Sequence, residues 1–424
     1  MSRQTFTIGY GKTTRSFQID EKNLILDVKA AEPALEINEE QEIRRALAEP
    51  IGTPTLAEIV QPRESVVIIT SDITRPCPSQ VILPPLVDTL NQAGIRDEDI
   101  TVVFALGSHR RHTEEEMMRL VGEDIFNRVH TIDSDPEDTV NLGITSRGTP
   151  IDIFSPVAQA DRRICVGNIE FHYFAGYSGG GKAIMPGVSN RDAIQANHAR
   201  MVEETSLAGA IEGNNVRLDI EEAVDICGCD FILNVVLNED KKVIKAVAGD
   251  HRAAHRVGCA FLDEMYKVPL PRLADIVIAT PGGYPKDINL YQTQKALDNA
   301  KHAVKTGGII ILAGQCPECF GEHVFEEWLL AADQPTDLIK RVRTEFRLGG
   351  HKAAAIAMVL EKSDVYFVSD MPEAKAKQTF MKPYSDLQQA ITDAFAKAGP
   401  EAGVIIMSHA GSTLPYLQAD QSLS

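Results

Sequence analysis

A single lysine closes a run of glycines, Gly176-Tyr177-Ser178-Gly179-Gly180-Gly181-Lys182-Ala183, and His172 stands shortly before it. Backbone rich in glycine can wrap an anion with its amides. A lysine at its end serves either as a phosphate clamp or as a point of covalent attachment. The spacing Gly176-x4-Gly181-Lys182 fits the first half of a phosphate-binding P-loop. The second half departs from it. Ala183 has no hydroxyl to hold magnesium, and Pro186-Gly187 stops the helix that would aim its dipole at a phosphate.

Three other groups stand where chemistry is usually placed. Val66-Val67-Ile68-Ile69-Thr70 and Val102-Val103-Phe104-Ala105-Leu106 are short apolar runs of the kind that form buried parallel strands. The first runs into Ser71-Asp72-Ile73-Thr74-Arg75-Pro76, the second into Gly107-Ser108-His109-Arg110. Ligands of open parallel sheets sit outside the carboxyl ends of strands, so Asp72, Arg75 and His109 are expected to converge on one crevice. Farther on, Asn190 or Ser189 can cap a helix that carries His198.

In these residues the chain resembles the nickel-pincer nucleotide-dependent lactate racemase family, nearly from end to end. The resemblance rests on Tyr10-Gly11-Lys12, the Ser71 to Pro76 loop, Gly107-Ser108-His109-Arg110, the glycine-rich lysine segment and Tyr291-Gln292-Thr293-Gln294-Lys295. It implies that Lys182 is covalently attached to a nickel-pincer nucleotide, a pyridinium-3-thioamide-5-thiocarboxylic acid mononucleotide whose sulfur arms grip nickel. It also implies that Ser71, Asp72, Gly180 and Gly181 help to hold that cofactor and that His198 ligates the metal. His109 and His172 would be proton donor and acceptor, and Arg75, Lys295 and Gln292 would hold the substrate. Enzymes that build the cofactor are implied partners.

The residue types suit that chemistry. Removing the Cα proton of a 2-hydroxy acid is difficult beside a carboxylate, whereas moving a hydride gives a flat 2-keto acid that can take it back on either face. Each enantiomer then needs its own base, and imidazole can act as acid or base near neutral pH. Arg75 could hold the substrate carboxylate through two parallel hydrogen bonds. Square-planar nickel accepts soft sulfur donors with one imidazole. The expected function is therefore a racemase or epimerase inverting C2 of a 2-hydroxy acid anion, lactate-like or larger. Lactate racemases of this type place a tryptophan beside the substrate. Here the sole tryptophan is Trp328, and the corresponding segment offers Ala353-Ala354-Ala355, which points toward a longer side chain on the substrate. Two other classes compete: a nicotinamide-dependent 2-hydroxy acid dehydrogenase, though no G-x-G-x-x-G with a suitably spaced acid is present, and a non-catalytic nickel-binding protein, which has no use for two further histidines beside Arg75.

Strand and helix patterns alternate along the 424 residues, as in an α/β fold with mainly parallel sheets flanked by helices. Polar alternation on either side of Gly9-Tyr10-Gly11-Lys12 predicts a short antiparallel N-terminal hairpin. The stiff Val268-Pro269-Leu270-Pro271 suggests two domains, 1–270 tethering the cofactor and 271–424 closing the substrate cleft, with the active site in the interdomain cleft. A net charge of −18 excludes nucleic acid and anionic membrane as partners. The opening residues lack the apolar core of a signal peptide, so a cytoplasmic location is expected. Seven scattered cysteines fit reduced thiols. Cys227-Gly228-Cys229 and Cys316-Pro317-Glu318-Cys319 make a poor zinc set, and Cys316-x2-Cys319 reads as part of a loop rather than a redox pair. His251 and His255 are expected on a solvated helix face.

Overall fold

The protein, seen in a computed structural model, is described over residues 3–30 and 37–418. Its described residues form two units, one of 3–30 with 265–418 and one of 37–264. Each is built on a six-stranded sheet.

In the unit of 37–264 the strand order is Val243–Gly249, Phe231–Leu237, Arg162–Asn168, Val66–Ser71, Ile100–Ala105, His130–Asp133. All neighbours run parallel except the Val243–Gly249 edge, which is antiparallel. Val66, Val67, Ile68 and Ile69 are all buried, on both faces of the sheet, which explains the unbroken apolar run. Helices Glu39–Ala48 and Ser79–Gln92 contribute Ile43, Leu47, Ile82, Leu83, Leu86 and Leu90 to this core.

The other unit has an all-parallel sheet in the order Lys382–Tyr384, Asp364–Val368, Val304–Ala313, Ala274–Ala279, Val404–Met407, Leu24–Val28. The expected hairpin is present as Arg3–Tyr10 paired with Thr13–Asp20. Its period of two buries Ile8, Tyr10, Phe17 and Ile19 against Ile276, Ile278 and Ile309.

The division of the chain differs from a cut at 270/271. Leu24–Val28 is an edge strand beside Val404–Met407, so the first thirty residues belong with the C-terminal part. Val268-Pro269-Leu270, expected as part of a stiff linker, falls in the strand Lys267–Leu270, which pairs in parallel with Leu414–Leu417. A proline is compatible with such a two-stranded edge, where one side of the backbone has no partner. Among the described residues no helix is long and apolar enough to cross a membrane.

Candidate active site

Three adjacent strands of the 37–264 unit, Arg162–Asn168, Val66–Ser71 and Ile100–Ala105, release the segments that carry His172, Asp72 with Arg75, and His109 at their carboxyl ends. Asp72 and His109 meet directly: the buried Asp72 carboxylate Oδ2 takes a short hydrogen bond from His109 Nδ1. Burial alone would raise the Asp72 carboxyl. The hydrogen bond and charge of His109, the Thr74 hydroxyl at 2.8 Å and nearby Arg75 outweigh it and hold the group below the ordinary carboxylate range. With Nδ1 donating to a carboxylate, Nε2 is the nitrogen of His109 left with a lone pair.

A second histidine–aspartate pair supports the first. His112 Nδ1 bonds Asp133 Oδ1 at 2.6 Å, and His112 Nε2 accepts from the Ile73 amide at 3.1 Å. This imidazole fastens the loop that carries Asp72 and Arg75. Asp133 ends the next strand of the sheet, His130–Asp133, so the rule that located Asp72 and His109 would also have located it.

His172 lies in a two-stranded ribbon, Phe171–His172 with Gly176–Tyr177. Its Nδ1 accepts from the Ala175 amide at 3.3 Å, which places the proton of the neutral ring on Nε2. Burial first, then Lys182, Arg75 and His198, push the imidazole well below its ordinary pKa, so it is neutral at pH 7. Phe174 sits at the centre of the cluster: its ring lies edge-on to His172 at 4.5 Å and to His198 at 4.9 Å, with the Lys182 amine 5.9 Å from its centroid.

The glycine run makes a single short helical turn, Gly180–Ala183, in place of a P-loop helix. Gly180 needs glycine because its φ is +59°, and its amide donates to Asn234 Oδ1 at 2.6 Å. Gly181 is required by space alone, since a Cβ there would sit 2.4 Å from Val224 Cγ2. Lys182 follows at once, half-buried, its amine driven well below the ordinary lysine range by burial and by Arg217 and Arg75.

His198 is the last residue of the Arg191–His198 helix, which Asn190 caps through the Ala193 amide as expected. The Asn197 amide donates to Asp219 Oδ2 at 2.8 Å, which turns its oxygen toward His198 Nδ1 at 2.9 Å. Nδ1 therefore carries the proton and Nε2 the lone pair, the form a metal takes.

Lys295 and Gln292 lie in the other unit, on the Leu290–Ala300 helix that Asn289 caps, Lys295 exposed and Gln292 half-buried. Trp328 is fully buried, with Gly350 pressed against its indole so closely that a Cβ would lie 2.3 Å away. Ala353, Ala354 and Ala355 are buried as well, on the Gly350–Leu360 helix. His251 and His255 are buried, contrary to the solvated face expected for them. His255 Nε2 donates to the Ser178 carbonyl at 2.8 Å and its ring lies behind Gly180, a contact no local pattern announces.

Residues 10–209 match the lactate racemase N-terminal domain and residues 271–414 the lactate racemase C-terminal domain. The lactate racemase of Thermoanaerobacterium thermosaccharolyticum is 34% identical over 396 residues, covering 91% of this chain and 92% of that protein. The lactate racemase of Lactiplantibacillus plantarum is 35% identical over 410 residues, covering 94% and 96%. The structure of the lactate racemase apoprotein from T. thermosaccharolyticum aligns with a TM-score of 0.88 at 31% identity, over 97% of this chain and all of that one. A Thermotoga maritima protein of known crystal structure shares the fold, with a TM-score of 0.65 at 17% identity over 91% of this chain.

Proposed function

Since the chain belongs to the lactate racemase family and is an isomerase, we propose that it inverts C2 of a 2-hydroxy acid, lactate or a close homologue, at the cluster around Lys182. The observation that supports this most directly is the pair of differently prepared imidazoles. His109 keeps its proton on Nδ1 against Asp72 and offers Nε2 as an acceptor. His172 takes the Ala175 amide on Nδ1 and offers Nε2–H as a donor. One ring takes the hydroxyl proton of one enantiomer and the other returns a proton to the carbonyl oxygen. The opposite direction starts from the opposite proton arrangement. Arg75, exposed and without an ion pair among the described residues, is suited to hold the substrate carboxylate. Lys295 and Gln292 are assigned to the substrate oxygens by their place in the motif.

A nickel-pincer nucleotide fits the donor set. Lys182 has an amine whose charged form is disfavoured by burial, Arg217 and Arg75, as covalent attachment requires; the Gly180–Gly181 turn brings bare backbone beside it, and His198 has its lone pair on Nε2. Lys182 would hold the nucleotide and His198 the nickel, and the bound group supplies a carbon that accepts and returns a hydride. Co-expression with cofactor-building enzymes, intact mass measurement and a racemisation assay with C2-deuterated lactate test the reading together. An adduct lost in Lys182→Ala, with the label kept at C2, is expected. Label exchanged into water would overturn hydride transfer. Rates for lactate beside 2-hydroxybutyrate, from the same preparation, fix the preferred chain length.

A further inference from the structure

Arg217 has no solvent exposure, and among the described residues no carboxylate pairs with it. Its Nε donates to the Ala175 carbonyl at 3.2 Å, its Nη2 to the Tyr177 carbonyl, and its Nη1 has no partner. Glu221, one turn along the same helix, is occupied by Arg256 at 2.6 Å and Arg252 at 3.3 Å. A buried cation with so little compensation opposes folding and calls for a reason. The two carbonyls it grips flank Gly176, where the chain turns into the glycine run. Two turns farther along the same Asn215–Cys227 helix, Val224 presses on Gly181. One helix thus fixes the loop both at its origin and immediately before Lys182.

We infer that Arg217 is a positioning residue for Lys182: it grips the carbonyls on either side of Gly176, anchoring the strand from which the loop springs, and adds a buried positive charge to the surroundings of that loop, so that Lys182 is the nucleophile of the site. The inference rests on Lys182 being the point of attachment. Burial, Arg217 and Arg75 act in the same direction on the amine, in that order of size. The other groups facing it are neutral His172 from its ribbon and the uncharged ring of Phe174. An amine without its extra proton has a lone pair to attack an acyl carbon; an ammonium has none.

Trace labelling of the full chain with acetic anhydride measures this without the cofactor. The amine attacks one carbonyl, an N–C bond forms, acetate leaves, and the proton passes to buffer. Peptide mass spectrometry from about pH 6 to about pH 11 compares Lys182 with exposed Lys340. Lys182 should reach half its limiting reactivity at a clearly lower pH than Lys340. Arg217→Gln keeps donors for a carbonyl but removes the charge; it should move that point toward Lys340 and reduce Lys182 labelling at pH 7 about tenfold. Arg217→Lys keeps the charge and should keep the early rise. Coincident wild-type profiles for Lys182 and Lys340, or a wild-type profile in Arg217→Gln, would overturn the inference. If Arg217→Gln does not fold, loss of the early rise in Arg217→Lys overturns it equally. A reactive Lys182 that never gains an adduct beside the cofactor-building enzymes would sink the attachment reading and leave this one standing.

Discussion

At the scale of single residues, the site depends on which nitrogen of each histidine has its proton, and a neighbour decides that in every case. Asp72→Asn replaces an acceptor with an amide that can turn its NH2 toward His109, favouring the wrong tautomer while leaving the shape intact. The expected result is a racemisation rate lower by at least about a hundredfold, with little change in KM. A drop in both rate and substrate affinity would instead place Asp72 on the substrate. Lys182 gives a separate test through stability. Its folded pKa lies below that of the unfolded chain, so between the two values the unfolded state binds the extra proton, and stability rises with pH across that window. Burying this amine therefore destabilises the cofactor-free protein at neutral pH, and the effect fades above the ordinary lysine pKa of about 10.4. Lys182→Met should melt higher than wild type at pH 7, by a margin that shrinks as pH approaches that value.

At the scale of elements, the strand ends, the hairpin and the capped His198 helix were legible because each has a local cause: a run of β-branched residues, a period of two, an asparagine at the N-cap. The supports of the site were not. His112 fastening Ile73, His255 behind Gly180 and Arg217 on Ala175 each join segments far apart in sequence, and a histidine in a loop, or a histidine or arginine within a helix pattern, reads as surface until the packing is known. Trp328, which the sequence did not place, is fully buried core. These supports make element-level predictions. His112→Ala removes the acceptor of the Ile73 amide and should cost about 1–3 kcal/mol of stability, while loosening the loop that carries Arg75 and so raising KM. Gly181→Ala places a methyl against Val224 without backbone strain, because Gly181 does not have a positive φ. It should destabilise by about 1–3 kcal/mol. Adding Val224→Ala should recover much of that loss, a non-additivity measurable in a double-mutant cycle of melting curves; simple additivity would mean the contact is not where the cost arises.

At the scale of the whole molecule, the chain begins in one unit, leaves to build the other, and returns. A reading along the sequence cuts such a chain once, because composition marks the proline-rich return at 268–271 and gives no sign that Leu24–Val28 pairs with a strand nearly four hundred residues later. The consequence can be sized. Ile8, Tyr10, Phe17 and Ile19 are each about 98–99% buried, and full burial of such a side chain is worth about 1.5–3 kcal/mol. Four of them supply roughly 6–12 kcal/mol before the edge strand is counted, about the entire net stability of a typical domain. Residues 265–424 expressed alone should therefore fail to fold, exposing the Val404–Met407 edge as a site for aggregation. Fusing residues 1–30 back through a flexible linker ahead of 265 should restore a cooperative unfolding transition, because the contacts matter and the direct chain connection to 37–264 does not. Circular dichroism melts of the two fragments decide it. A 265–424 fragment that unfolds cooperatively by itself would show that the hairpin and Leu24–Val28 decorate a domain that is already complete.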